Sequence, residues 1–127
     1  MHSKAQISNE FFVFIGLTFF IALAFEIASL DQLNDFRIQK ESEEVKDIAL
    51  KLQKELLIAS AVEDGYFRTF VLPDNLDGID YSLITQNSTI AVQSKNSLFI
   101  VSIPYIIGNA SKGANTINKT GGVIYLG

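Results

Sequence analysis

The side chains that most often carry out catalysis are scarce in this chain. It has no cysteine and only one histidine, His2. A thiol nucleophile, a thiolate metal site and a Ser/His/Asp triad are therefore excluded. No glycine-rich loop that could hold a phosphate is present either. The residue types favour a protein without catalytic activity, and we expect no cofactor.

One acidic segment has the residue types of a cation site. Asp74, Asp77 and Asp80 surround Gly78 and offer oxygen ligands of the kind that Ca²⁺ prefers. The segment lacks the spacing of an EF-hand loop and the glutamate that closes such a loop. Aspartate and asparagine also favour turns, which explains the segment more simply. We therefore expect a turn here and no metal.

Three Asn-x-Ser/Thr sequons, the acceptor motif for N-glycosylation, occur in the C-terminal half of the chain. They begin at Asn87, Asn109 and Asn118. On an extracellular domain, glycans at these positions would solvate the outer surface. A chain rich in Asn, Ser and Thr also produces such motifs by chance. The sequence leaves both interpretations open.

A long apolar run lies near the N-terminus. In residues 11–25 only Gly16 and Thr18 are not apolar, and the run extends in weaker form to Leu30. A helix of about 20 residues covers the ~30 Å thickness of the hydrocarbon core of a bilayer. The run therefore predicts a membrane-spanning helix, with the lipid bilayer as a partner.

The residues that precede the run form a recognisable motif. Lys4 and Ala5 are followed by Gln6, Ser8 and Glu10, immediately before the first phenylalanine. This segment resembles the class III (prepilin-type) signal peptide of archaeal type IV pilin-like proteins. The resemblance implies that a prepilin peptidase cleaves between Ala5 and Gln6 on the cytoplasmic side and leaves the apolar helix on the mature protein. Ala5 departs from the glycine that is commoner at this position.

Glu10 has two interpretations. Cleavage before Gln6 would create a free α-amine four residues from the Glu10 carboxylate. Burying either charge alone in a filament core is costly, and pairing them would offset that cost. A pair between neighbouring subunits would also fix their axial stagger, which is the role that the resemblance implies. Alternatively, Glu10 is an interfacial residue at the end of a membrane span.

The N-terminal region also allows ordinary secretory cleavage near Ala28 or Ser29, which would release a secreted domain. The apolar run is longer than the ~7–15 residues usual for the core of such a signal. Orientation follows from charge, because Lys4 precedes the run and Asp31 follows it. Since positive charge tends to stay in the cytoplasm, the pattern predicts a single span with the C-terminus outside.

The apolar run continues into an amphipathic segment. No proline or glycine occurs between Leu17 and Asp64, and the pattern predicts one nearly continuous helix from about Ser8 to about Val62. Apolar residues recur at three- and four-residue spacing at Val45, Ile48, Ala49, Leu52, Leu56 and Ala59. This stripe is short for an independent coiled coil, so we expect it to pack on a sheet.

The chain after Gly65 has the pattern of a small β-domain. Alternating or apolar runs separated by turn residues predict a three- to five-stranded antiparallel meander. The runs are residues 66–72, 79–83, 89–93, 98–103 and 123–126. Residues 108–122, rich in Asn, Ser, Thr, Lys and Gly, predict a loop. The expected fold class is α+β: a long N-terminal helix packed through its second half on a small antiparallel sheet, as in pilins.

These observations divide the chain into four segments. Residues 1–5 form a prepilin-type leader, 6–30 an apolar membrane or filament-core helix, 31–64 its amphipathic continuation, and 65–127 the β-domain. The net charge is −4 and no basic cluster is present, which argues against binding to nucleic acid.

The resemblance implies a major or minor pilin of an archaeal surface filament, with roles in cell adhesion. Its partners would be the prepilin peptidase and identical or related pilin subunits that contact the apolar helix. It would reside in the cell membrane before assembly and in an extracellular filament afterwards. The alternative is a membrane-anchored extracellular binding or adhesion module that does not polymerise.

Overall fold

The computed structural model describes residues 2–127, with side chains described from Lys4 onward. Its first element is a helix, α1, which spans His2–Ala61. The helix begins six residues before the predicted start at Ser8, because residues 2–7 contain no proline or glycine that would stop it. Its C-terminal end is within one residue of the predicted end at Val62.

The chain divides into two compact units, residues 1–37 and residues 38–127. In the described part of the first unit, the chain is helical throughout. The second unit contains the rest of α1 and all the β-strands that the structure describes. This unit is the folded domain, because every buried side chain of the described residues lies in it.

Seven strands follow the helix. They are β1 Phe67–Leu72, β2 Tyr81–Gln86, β3 Thr89–Ser94, β4 Leu98–Ser102, β5 Ile106–Gly108, β6 Gly113–Thr120 and β7 Val123–Leu126. A four-stranded sheet has the order β1-β6-β7-β5, and a three-stranded sheet has the order β2-β3-β4. All pairings are antiparallel except that between β5 and β7, which is parallel. Each sheet presents alternate side chains to the core and to solvent.

The core of residues 38–127 forms where the apolar stripe of α1 packs on both sheets. Leu52 and Leu56 of the stripe have no exposed surface. The Lys51 ammonium donates a hydrogen bond to the Val71 carbonyl of β1, 2.9 Å away. The Gln53 amide donates to the Ser102 carbonyl of β4 at 2.8 Å. The predicted α+β class, with the second half of the helix packed on a small sheet, is confirmed.

The predicted loop at residues 108–122 is wrong, because most of it is strand β6. Asn115 and Ile117 of this strand are fully buried. The side-chain amide of Asn115 accepts a hydrogen bond from the Ser111 backbone N–H and donates to the Ser111 and Gly113 carbonyls. Because its polar atoms are satisfied, a buried asparagine replaces the apolar residue that the alternation of a strand normally requires. Seven strands in two sheets therefore replace the predicted meander.

Candidate functional site

The apolar segment of α1 is exposed along its length. From Lys4 to Lys40 no side chain is buried, and Ser29 alone is half-buried. Phe14, Phe20 and Phe25 are each more than two-thirds exposed, at 71%, 71% and 75%. A contiguous apolar surface of this extent marks contact with a membrane or with another protein. The segment is therefore the leading candidate for function.

The same segment is long and apolar enough to cross a bilayer. By length and composition it is the one candidate membrane span among the described residues. Its polar side chains are accommodated inside the helix: the Thr18 hydroxyl donates to the Phe14 carbonyl at 2.9 Å, and the Ser29 hydroxyl donates to the Phe25 carbonyl at 2.8 Å. Such internal hydrogen bonds lower the cost of placing a hydroxyl in an apolar environment.

Gln6 and Glu10 lie one turn apart in α1. Residues four positions apart share a helix face, so the two are neighbours on the surface of the helix. Both side chains are exposed, and within residues 4–127 Glu10 makes no ion pair and no side-chain hydrogen bond. Its carboxylate is available to a group outside this chain.

The predicted cleavage site lies within the helix. Ala5 and Gln6 are both helical and exposed, and α1 continues from them into the apolar segment without a break. The segment that the sequence divides into leader and mature helix is therefore one regular element in the uncleaved chain.

The three sequon asparagines are all exposed, but their surroundings differ. Asn87 occupies the tight turn between β2 and β3 with a positive φ of 49°. Asn109 follows β5 and precedes the buried Ala110. Asn118 lies within β6, where it pairs in register with residues of both neighbouring strands.

The acidic segment at residues 74–80 is a turn with lysine partners. The Asn75 side chain accepts a hydrogen bond from the Gly78 backbone N–H at 2.9 Å, which is the side-chain turn that the sequence predicts. Asp77 is paired with Lys40, and Asp80 is paired with Lys112. Among the described residues, no group of three or more His, Cys, Asp or Glu side chains is arranged to hold a metal ion.

Comparisons with protein-family models, with curated proteins and with solved structures find no match for this chain. The function is therefore inferred from the chain's own residues and their geometry.

Sequence reasoning missed a buried carboxylate that joins the helix to the three-stranded sheet. Glu41 is 3% exposed. One of its oxygens accepts hydrogen bonds from the Ser94 hydroxyl at 2.5 Å and the Asn96 backbone N–H at 3.1 Å, and the other accepts from the Asn96 side chain at 3.2 Å. The hydrogen bond from Ser94, together with those from Asn96, holds the pKa of Glu41 below its usual value.

A second buried carboxylate lies on the same stripe. Glu55 is 7% exposed. The Arg68 guanidinium of β1 donates a hydrogen bond to one of its oxygens at 3.1 Å and lies 2.6 Å from the other as an ion pair. This charge-assisted contact connects the helix to strand β1. Glu41 and Glu55 continue the three- and four-residue spacing of the apolar stripe at Val45 and Leu52. The sequence signal that could have revealed these buried carboxylates is a charged residue at a position that continues the apolar stripe.

The buried carboxylates and the exposed apolar segment serve different purposes. The buried carboxylates of Glu41 and Glu55 find their partners inside residues 38–127, where they connect the helix to the two sheets. Within residues 4–127, the exposed apolar segment and Glu10 make no such stabilising contacts. Their chemistry suits association with lipid or with other apolar helices, with one carboxylate available for pairing.

Proposed function

We propose that the chain is a structural subunit, a major or minor pilin, of an archaeal type IV pilus-like surface filament. It is inserted in the cell membrane before assembly, as a single span with the C-terminus outside. A prepilin peptidase cleaves it between Ala5 and Gln6, and the apolar helix remains on the mature subunit. The resemblance of Gln6, Ser8 and Glu10 to the prepilin motif suggests the class.

The observation that carries the proposal is the exposure of the apolar segment. Fully burying one phenylalanine or leucine side chain is worth about 1.5–3 kcal/mol. The segment presents a long series of such side chains that make no buried contact within the described chain. A bilayer removes this surface from water before assembly, and packed helices of neighbouring subunits remove it afterwards.

Glu10 supports the same proposal. A carboxylate at the start of an apolar helix is costly to bury unless a cation meets it. The α-amine created at Gln6 by cleavage supplies such a cation on the same face of the helix. Glu10 has no partner within residues 4–127, so its carboxylate is available to the amine of a neighbouring subunit. That pair sets the stagger between subunits.

The decisive experiment replaces Glu10 in the native host. We expect Glu10→Ala to accumulate in the membrane at the wild-type level, because the apolar segment is unchanged, and to be lost from filaments sheared off the cells. Glu43→Ala is the matched control and should enter filaments normally, since Glu43 is also an exposed helical glutamate that has no ion-pair partner within residues 4–127. N-terminal sequencing of the wild-type protein should begin at Gln6.

Two results would refute the proposal. A mature protein that begins near Leu30 has lost the apolar segment and is a secreted domain. Normal incorporation of Glu10→Ala into filaments would remove the registration role of the carboxylate.

A non-polymerising, membrane-anchored adhesion module is the second candidate. It is favoured by an exposed apolar row on the three-stranded sheet, where Ile84, Ala91 and Ile100 are partners in register. Ile84 is 44% exposed and Ile100 is 60% exposed. Wild-type protein with Gln6 as its first residue that is absent from every filament preparation would select this candidate.

A further inference from the structure

The outer face of the four-stranded sheet carries an exposed row of side chains centred on a sequon. Asn118 of β6 is paired in register with Phe67 of β1 on one side and with Tyr125 of β7 on the other. Ile107 of β5 is in turn paired with Tyr125. Side chains directly opposite each other in a sheet lie on the same face, about 4.5–5.5 Å apart at Cβ in antiparallel pairs. Asn118 is therefore flanked by two aromatic rings.

This row is open to solvent. Phe67 is 67% exposed, Tyr125 is 43% exposed and Ile107 is 45% exposed, while Asn118 itself is exposed. Aromatic rings bring a large apolar area with specific contact geometry. An aromatic, amide, aromatic sequence across three adjacent strands is suited to a ligand that has both apolar C–H faces and polar edges. A pyranose sugar has this character.

The position of Asn118 is fixed by its neighbour in the sequon. The Lys119 side chain points away from Asn118, as strand alternation requires, and its ammonium donates to the Ser60 and Val62 carbonyls at 3.1 and 2.6 Å. The Lys119 backbone N–H donates to the Tyr66 carbonyl at 3.0 Å, and its carbonyl accepts from the Gly65 N–H at 2.8 Å. Lys119 thus joins strand β6 to the C-terminal end of α1 and to the residue that follows it, and this holds Asn118 on the outer face.

The hydroxyl of the sequon also lies on that face. The Thr120 hydroxyl is 3.5 Å from the Asn118 side-chain oxygen. In the other two sequons the hydroxyl faces elsewhere: that of Thr89 donates to the Gln86 carbonyl, and that of Ser111 is directed to Asn115. Asn118 alone among the three lies inside a strand with aromatic register partners.

We propose that Asn118 carries an N-linked glycan whose first sugar residues lie over Phe67 and Tyr125. The inference rests on the proposed function, because the β-domain must be outside the cell to meet the glycosylation machinery. C–H groups of the sugar ring pack on the aromatic faces, and the sugar hydroxyls remain in water. The glycan thereby covers apolar surface that the fold leaves exposed.

The bond formed is between the Asn118 side-chain nitrogen and the anomeric carbon of the sugar. The donor is a saccharide linked through a phosphate to a membrane lipid. The bond between the anomeric carbon and the phosphate oxygen breaks, and its electron pair leaves with the phosphate. One amide proton passes to a base of the transferase. No oxidation or reduction takes place.

The first test is peptide mass spectrometry of the protein purified from the membranes or filaments of its own cells. We expect a glycan mass on the peptide that contains Asn118. Thr120→Ala should abolish it, because the sequon is lost, and Thr120→Ser should retain it. Asn109→Gln is the matched control and should leave the Asn118 glycan in place. An unmodified Asn118 in the native protein overturns the proposal.

The second test measures whether the glycan covers the aromatic row. Nitration of Tyr125 by tetranitromethane, followed by mass spectrometry, reports how accessible its ring is. We expect Tyr125 in detergent-solubilised Asn118→Gln protein to react several-fold faster than in the wild type, and Asn109→Gln to leave the rate unchanged. Equal rates in Asn118→Gln and the wild type overturn the stacking. Protection of Tyr125 only in assembled filaments, with or without the glycan, also overturns it and assigns the row to a subunit contact.

Failure of this inference differs from failure of the proposed function. Filaments that assemble from subunits with an unmodified Asn118 refute the glycan alone. A glycosylated protein that never enters filaments refutes the pilin role and leaves the glycan site intact.

Discussion

Glu41 is the residue whose chemistry most directly links the helix to the sheet. Its carboxylate accepts three hydrogen bonds from Ser94 and Asn96 while nearly all of its surface is buried. Hydrogen bonds to a charged group are worth about 1.5–3 kcal/mol each. If one partner is removed, the other is left buried without a hydrogen bond, which destabilises the fold. Glu41 therefore anchors the connection between β3 and β4 to α1.

Replacing Glu41 tests this role. We expect Glu41→Gln to lower the free energy of unfolding by about 1–3 kcal/mol, because the charge is lost and the new amide nitrogen faces the Asn96 amide donor. Glu43→Gln, at an exposed position that has no partner among the described residues, should change the free energy of unfolding by no more than about 0.5 kcal/mol. Urea denaturation followed by circular dichroism measures both. Equal effects of the two substitutions would contradict the role of Glu41.

The lowered pKa of Glu41 also predicts how stability depends on pH. Its folded-state pKa is below its unfolded-state pKa, so the unfolded chain takes up the proton first as the pH falls. Its contribution is complete above the unfolded value, about 4.3, and is lost as the pH falls through the folded value. Between about pH 5 and pH 3 the wild type should therefore lose stability faster than Glu41→Gln. Parallel curves for the two proteins would show that Glu41 is not the group responsible.

At the scale of elements, the short parallel strand β5 depends on one glycine. Gly108 has a φ of 112°, and a Cβ atom there would lie 1.8 Å from the Leu126 carbonyl oxygen. The backbone of β7 therefore approaches too closely for any side chain. Gly65 also has a positive φ, 92°, but a Cβ atom there would meet no atom within 4 Å.

The two glycines allow the effects of conformation and overlap to be separated. Gly65→Ala should lower the free energy of unfolding by about 1–2 kcal/mol, because alanine must adopt a left-handed backbone conformation there. Gly108→Ala carries the same cost and must also displace the Leu126 backbone, so we expect a distinctly larger loss of stability. Thermal unfolding of the two variants in the same detergent compares them. A loss at Gly108 no greater than that at Gly65 would mean that β5 shifts without cost.

The elements differ in how well the sequence predicts them. The helix was predictable because an uninterrupted apolar run continues into a stripe of three- and four-residue spacing, and strands β1 to β4 and β7 follow short apolar runs. Strand β6 was not, because Asn115 takes a core position that sequence patterns reserve for apolar residues. The partners of Glu41 and Glu55 could not be predicted either. They lie more than ten residues away along the chain, and such contacts depend on how the strands are paired and how the helix packs on them. The leader, the cleavage site and the role of Glu10 remain predictions.

At the scale of the whole molecule, all the buried side chains that the structure describes lie in residues 38–127. No side chain from Lys4 to Lys40 is buried, whereas Leu52 and Leu56 have no exposed surface. The free energy that holds the β-domain together is therefore supplied within the second unit. The described residues of the first unit contribute apolar surface but no part of the core.

This separation predicts that residues 38–127 fold by themselves. The fragment should be soluble without detergent, unfold cooperatively in urea and show the β-rich circular dichroism of the domain. Leu52→Ala in the fragment should lower its stability by about 2–5 kcal/mol, because a filled core position becomes a cavity. Exposed Leu50→Ala, at 40% exposure, is the control and should have a much smaller effect. An unfolded wild-type fragment would show that the apolar segment is needed for folding.

The absence of buried side chains between Lys4 and Lys40 has an evolutionary consequence. Mutations in the first 37 residues are constrained by the lipid or protein that contacts this segment. Mutations in residues 38–127 are constrained by the packing of the domain itself. The two parts can therefore diverge at different rates and recombine with little penalty. We expect chimaeras joined near Ile38 to keep the anchoring behaviour of one parent and the surface chemistry of the other.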